Sequence, residues 1–280
     1  MAVISKTAAT DIPPELLKVP PFPAVAAKVL TLLSNATVDI SKVAEVVGSD
    51  PTLTAHVLKA VNSYEYGLKS YVTDMRQAIG LLGLDRTRQI VVTTAVGAYL
   101  KRVMTAEVLR CWHHSIATAV LAEALADCYG TFADIAFVAG IMHDLGRLGL
   151  LVAHPQEYQR LVRDAEEHHL NLLELEEHKF GLNHAEAGRL LTEHWRLPQE
   201  FWVINGRHHD TLEGTEVDLL RIVHVACRMA DVLGFGMIPP RPNFHPNTAL
   251  KELRMPPALT LQNTAEELSV LIENRISTAT

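Results

Sequence analysis

Cysteine is scarce in this chain, and what there is does not pair. Cys111, Cys128 and Cys227 are three in 280 residues, widely spaced, with no CxxC. An odd count without short spacings argues against a disulfide framework and against a zinc site made of paired thiolates, and it suits a reducing compartment. Strict apolar/polar alternation of the strand type is nearly absent, which leaves little room for a half-buried sheet. Cationic excess is lacking too: 25 Lys+Arg stand against 32 Asp+Glu, a formal charge of −7. Non-specific binding to nucleic acid or to an anionic membrane needs clustered cations, so both partners are disfavoured. Apolar runs such as Ile90–Leu100 are too short or too polar to span a bilayer. The opening MAVISKTAATDIPPELL lacks a basic segment followed by a long apolar one, as a signal peptide needs. The expectation is a cytoplasmic protein without a membrane partner.

What is present is helical periodicity. An apolar content of 48 % with 20 % charged residues is enough for a substantial core. Ala24–Ser34 carries apolar residues at helical spacing after the stop signal PPFP. Asp39 can cap a helix that Gly48 ends, and Asp50–Pro51 is an N-cap with proline at the first helical position. Thr73 can cap the next helix, with Gly83 just past its end, and Asp85 opens another. Glu107–Tyr129 is a long helix stopped by Gly130. Asp134 opens IAFVAGIMHDLG. Further helices are expected over Pro155–His168, Leu170–Phe180, Asn183–Trp195, from Pro198, over Glu216–Phe235 and over Thr264–Arg275. The fold class is therefore all-α. Boundaries fall as an N-terminal helical lobe over 1–103, a histidine-rich lobe over 104–238, and a proline-rich linker with a terminal helix over 239–280.

Most of the fourteen histidines lie in the second lobe. His143–Asp144 sits in an apolar segment, where a carboxylate beside an imidazole is costly unless paired, hydrogen-bonded or bound to metal. Asp231 is a second carboxylate in an apolar helix. His114 lies on a helix with Ala117, Leu121 and Leu125 on one stripe. His208–His209 ends one helix and His184 starts another. Neutral imidazoles and carboxylates are ligands of Zn, Mn and Fe. His114, His143, Asp144 and Asp231 could hold one ion. Adding His184, His208 and His209 supplies ligands for two, with a bridging carboxylate. The competing reading is a core network in which carboxylate and imidazoles satisfy one another. His224, two turns before Asp231, packs or supports. In the first lobe, Asn62 and Tyr66–Gly67 could fix a turn. Arg76, Arg86 and Arg88 could form a basic strip, and Ala78–Ile90 has a faint helix-turn-helix pattern; lobe packing and solvated charge are the plainer readings.

Trp112–Ser115 (WHHS), Gly140–Leu150 (GIMHDLGRLGL) and Asp231 resemble the H…HD…D pattern of the HD superfamily of metal-dependent phosphohydrolases. Pro20–Leu33, Asp50–Gly67, Val72–Val92, Asn183–Pro198 and Gly206–Asp210 are similar to the HDOD family, the HD-related output domains of bacterial signalling proteins. The resemblance runs from about Leu16 to Gly234. It implies a two-lobed helical fold with an HD-like C-terminal lobe, acting in signal transduction through a protein partner or a small nucleotide-like ligand. It also implies a divalent metal, one or two ions of Fe, Mn, Zn or Mg. The alternative it carries is a metal-dependent phosphohydrolase or phosphodiesterase, with Asp144 and Arg147 as catalytic residues. The chain departs from the related HD-GYP cyclic-di-GMP phosphodiesterases. DTLEGTE follows His208–His209 with no GYP, Arg147 replaces a lysine, and Arg110 stands where some place a further metal-binding Glu. Those departures put cyclic-di-GMP cleavage in doubt.

Overall fold

The computed structural model describes residues 12–35, 37–63, 71–101, 103–211, 216–239, 245–248, 261 and 263–279. Tyr66–Gly67, and the segment just beyond Thr211 where a GYP motif would stand, lie outside the described residues. Among those described there is no strand. The helices are α1 Ala24–Leu33, α2 Ile40–Gly48, α3 Pro51–Val61, α4 Met75–Leu82, α5 Leu84–Leu100, α6 Ala106–Tyr129, α7 Ala133–Met142, α8 Leu145–Ala153, α9 Pro155–His168, α10 Leu172–Phe180, α11 His184–His194, α12 Gln199–Arg207, α13 Leu219–Ala230 and α14 Ala265–Ala279. A π-helical turn, Asp231–Phe235, extends α13.

Capping chemistry explains most boundaries. Asp39 accepts from Ser41 N, and Asp50 from Thr52 N and Leu53 N ahead of Pro51. Gly130 closes α6 in the left-handed conformation that glycine adopts without strain. Asn183 accepts from Glu186 N and so sets His184 as the first residue of α11. Two expected starts shift by one residue: Asp74, not Thr73, caps α4, and α5 begins at Leu84, with Asp85 in its first turn.

Helices α1–α5 pack on one another, and α5 lies against α7, so a single apolar cluster runs from Leu16 to Ile272. In this first group Arg88 is buried and donates to the Leu33 carbonyl at 2.9 Å, in line with the plainer reading of packing over a basic strip. Asn62 ties the end of α3 to Val72. Its amide donates to Leu58 O (2.9 Å) and Val72 O (2.8 Å) and accepts from Val72 N.

The second group is built around α6, which lies between α7 and α13. The segment expected as one helix through His143–Asp144 is broken there, and α8 is an additional element. One contact and one backbone conformation mark the break. The Met142 carbonyl, which a continued helix would use, accepts instead from Asn205 Nδ2 at 2.9 Å. Asp144 takes a non-helical conformation, φ −113° and ψ 26°. The stretch Ile135–Ala153 is apolar and long enough to cross a membrane by composition alone. Here it is two helices, 89 % buried in the core.

Helix α8 reaches α11 across two glycines. A Cβ on Gly146 would lie 1.9 Å from the His184 carbonyl oxygen and 2.2 Å from Gly188 N. Backbone cannot step aside as a flexible side chain does, so this crossing requires glycine, and it sets His184 over the start of α8. Gly146→Ala is expected to destabilise the fold by about 3 kcal/mol or more, the upper range for overpacking. Gly80→Ala, where a Cβ meets nothing within 4 Å, is the matched control, and urea unfolding of both variants checks the difference.

Candidate metal centre

Three helix ends bring His143, His184 and His208 together. His143 is the C-cap of α7 and His208 the C-cap of α12. Each uses Nδ1 to satisfy a carbonyl of the turn it ends: His143 to Gly140 O at 2.7 Å, His208 to Asn205 O at 2.8 Å. A carbonyl only accepts, so in both rings Nδ1 carries the proton and Nε2 is left as a lone pair. His184, at the start of α11, repeats the arrangement with a carboxylate, its Nδ1 lying 2.6 Å from Glu176 Oε2. In all three rings Nδ1 is engaged and Nε2 is turned toward the other donors.

These nitrogens meet further donors. His143 Nε2 is 3.3 Å from His114 Nε2, and Cys227 Sγ lies 3.5 Å from the same atom. His184 Nε2 is 2.9 Å from His209 Nε2. Ligand atoms of His114, His143 and Cys227 lie within 4.8 Å of one another, as do those of His184, His208 and His209. His208 Nε2 and Asp144 Oδ1 are buried and without a hydrogen-bond partner. Buried acceptors with no donor are what a cation satisfies, so the donor set fits a divalent ion.

Arg147 complicates that fit. It is buried, one turn after Asp144 on α8, with Nε 2.6 Å from Asp144 Oδ2 and Nη2 2.8 Å from His184 Nε2. Its Nη1 lies 3.9 Å from Glu176 Oε1, and the Tyr158 hydroxyl donates to that same oxygen. Burial would raise the Asp144 carboxyl, but the Arg147 guanidinium and His184 hold it well below the usual carboxylate range. Burial would likewise raise Glu176, and His184 with Arg147 brings it down. A guanidinium therefore occupies one oxygen of the carboxylate expected to bridge metals.

The expected residues fall into two zones. His114, His143, Asp144, His184 and His208 are buried. Asp231 is helical, as expected, but its carboxylate is not buried as its apolar surroundings suggested. It sits where α13 passes into the π-helical turn, 53 % exposed, with Oδ1 3.6 Å from His114 Nδ1. His114, His184, His209, Arg147 and Asp231 line a cavity of about 360 Å³ with Leu172, Met237 and others. His113, the neighbouring candidate, is only half-buried. Arg110 donates to Met237 O at 2.8 Å, and His224 donates from Nδ1 to His208 O at 2.8 Å. Sequence reasoning missed Glu176, Tyr158, Asn205 and Cys227. Only Cys227 carried a usable signal, since it lies one helical turn before Asp231.

Burial lowers His114 and His143 to about 4, and lowers His208 and His209 as well. Unfolded imidazoles take up protons below about 6.5 while these rings stay neutral, so protons favour the unfolded chain. Stability is expected to fall as pH drops from about 6.5 to about 4, before the lowered carboxylates Asp144 and Glu176 begin to protonate. Urea midpoints that stay level between pH 7 and pH 5 would contradict it.

The family model for the HDOD domain matches residues 19–211. An uncharacterised protein of Treponema pallidum (strain Nichols) is 26 % identical over 207 residues, 73 % of this chain and 40 % of that protein. The chain thus spans less than half the length of that relative. Among solved structures, an HDOD domain protein of unknown function from Geobacter sulfurreducens has a TM-score of 0.75 at 23 % identity, covering 93 % of this chain and 91 % of that one. A candidate phosphohydrolase from Shewanella amazonensis SB2B has a TM-score of 0.71 at 21 % identity, covering 95 % and 96 %. With helices in the same arrangement and the family match running unbroken across both lobes, this chain belongs to the HDOD family.

Proposed function

We propose that the chain is a regulatory HDOD module of bacterial signal transduction that binds a protein partner or a small nucleotide-like ligand at the pocket and holds a divalent cation beneath it, without robust turnover. The observation that carries this reading is the buried pair of Arg147 and Asp144, 2.6 Å apart. A two-metal hydrolase needs both oxygens of that carboxylate for its ions. Here one oxygen is committed to a guanidinium, and withdrawing Arg147 would leave Asp144 as an unpaired buried anion, at a cost of about 3–5 kcal/mol.

Residues placed to hold a cation are His114, His143 and Asp144 on one side, and His184, His208 and His209 on the other, with Asp231 at the mouth. A bound divalent ion would supply Lewis acidity and an acidified water. Arg147 lines the same cavity, where its charge favours an anionic ligand group such as a phosphate. A reducing cytoplasm suits the three free cysteines.

The second reading is a metal-dependent phosphohydrolase, in which Arg147 turns from Asp144 to the substrate phosphate. The unpartnered Nε2 of His208 and Oδ1 of Asp144 favour it. Assays of cyclic-di-GMP and of a simple phosphodiester, with Mn²⁺ or Fe²⁺ added, separate the two. The expected outcome is turnover no higher than that of Asp144→Ala. Fast metal-dependent hydrolysis by the wild type, abolished in that variant, would reverse the order of the two readings.

A further inference from the structure

One of the two donor groups has a composition of its own. Its donors are His114 from α6, His143 at the end of α7 and Cys227 from α13, and all three side chains are buried. Their spacing is informative. Zinc bonds of about 2.0–2.1 Å to nitrogen and about 2.3 Å to sulfur, at tetrahedral angles, put two nitrogens about 3.3 Å apart and nitrogen and sulfur about 3.5 Å apart. The observed separations are 3.3 Å for His114 Nε2 to His143 Nε2 and 3.5 Å for His114 Nε2 to Cys227 Sγ.

Hydrogen bonding accounts for these contacts poorly. His143 Nδ1 donates to Gly140 O at 2.7 Å, so its Nε2 is a lone pair. His114 Nδ1 faces the Asp231 carboxylate at 3.6 Å and closes no hydrogen bond. If the His114 proton sits on Nδ1, toward that acceptor, two Nε2 lone pairs oppose each other at 3.3 Å with only the weak Cys227 S–H donor between them. If it sits on Nε2, the Nδ1 lone pair faces an anion. A cation between the two Nε2 atoms and Cys227 Sγ removes both conflicts.

We propose that His114, His143 and Cys227 supply three ligands of a tetrahedral, soft-cation site that selects zinc over Mn²⁺ and Mg²⁺. It rests on the reading of the pocket as a cation site, and adds a sulfur donor that the H…HD…D pattern does not contain. On binding, the Cys227 S–H bond breaks, a sulfur–metal bond forms, and the proton leaves to bulk buffer. Thiolate favours zinc, whereas Mg²⁺ and Mn²⁺ prefer oxygen. The site takes nothing from the Arg147–Asp144 pair, which stays closed, in keeping with a cation that orders the pocket rather than one that drives hydrolysis.

Cobalt(II) is the probe, because thiolate ligation gives it an intense near-ultraviolet charge-transfer band that imidazole and carboxylate ligation lack. Chelator-stripped full-length protein titrated with Co²⁺ is expected to develop this band to one equivalent. Zn²⁺ should abolish it and excess Mn²⁺ should not. Cys227→Ser should lose the band and bind Zn²⁺ at least about 100-fold more weakly, beyond the loss typical of a supporting hydrogen bond. Cys111→Ser and Cys128→Ser should keep the band, and circular dichroism checks that each variant is folded. Co²⁺ binding in the wild type without the band, or a band that persists in folded Cys227→Ser, overturns the sulfur ligand and leaves the cation pocket standing. No binding of Co²⁺ or Zn²⁺ overturns both. Should Cys227→Ser not fold, the wild-type band and its survival in the other two variants decide.

Discussion

The buried ion pair between Arg147 and Asp144 is the constraint around which the second lobe is arranged. Withdrawing a guanidinium and two carboxylates from water costs several kcal/mol per ion, and the attraction between them repays this only when geometry is tight and remaining polar atoms are met. Five elements contribute: Asp144 from the break between α7 and α8, Arg147 one turn on, Tyr158 from α9, Glu176 from α10 and His184 from α11. The Gly146–Gly188 contact brings α8 and α11 close enough for Arg147 to reach His184. Well-packed apolar residues would stabilise a core of this size as well or better. What the network provides that they would not is orientation, with imidazoles held in one tautomer and acceptors aimed into a cavity.

Much of this was legible in the chain, and the failures have physical causes. Helix starts carrying their own cap, such as Asp39, Asp50–Pro51 and Asn183, could be read directly, because capping is a local interaction. The break at His143–Asp144 could not. The stretch Ile135–Ala153 is apolar on every side, so no stripe marks where one helix ends. What ends it is an amide more than sixty residues away, Asn205 on the Met142 carbonyl. The HD residues stood out because polar groups in apolar surroundings need partners. Glu176 did not, since it lies among Glu174 and Glu177 in a polar run, and only folding buries it. Cys227 was hidden by a rule that looks for paired cysteines, whereas its neighbours are histidines from distant helices.

The cavity has a fixed floor and a more open mouth. On its buried side are His114 and His184, with His143, Asp144 and His208 buried beside them. Above are the half-exposed Asp231, Met237 and Ile238 beyond the π-helical turn, and the start of α10. Gly234, at φ 89°, redirects the chain in that turn where a side chain would be strained. The turn carries Asp231 out of the core, where the sequence placed it, to the rim.

Helix α10 joins the two levels. Leu172 lines the cavity, and Glu176, four residues on and so on the same face, holds His184 by both its ring and its backbone N–H. An occupant that presses on Leu172 therefore presses on the helix that holds the His184 ring and flanks Arg147. A short helix capped by Asn171 at one end and stopped by Gly181 in the left-handed conformation at the other moves more readily as a unit than it bends. On the reading proposed above, a ligand at the mouth would reach the buried charges through this one helix. That coupling suits a module that reports occupancy to a partner and requires no bond in the ligand to be broken.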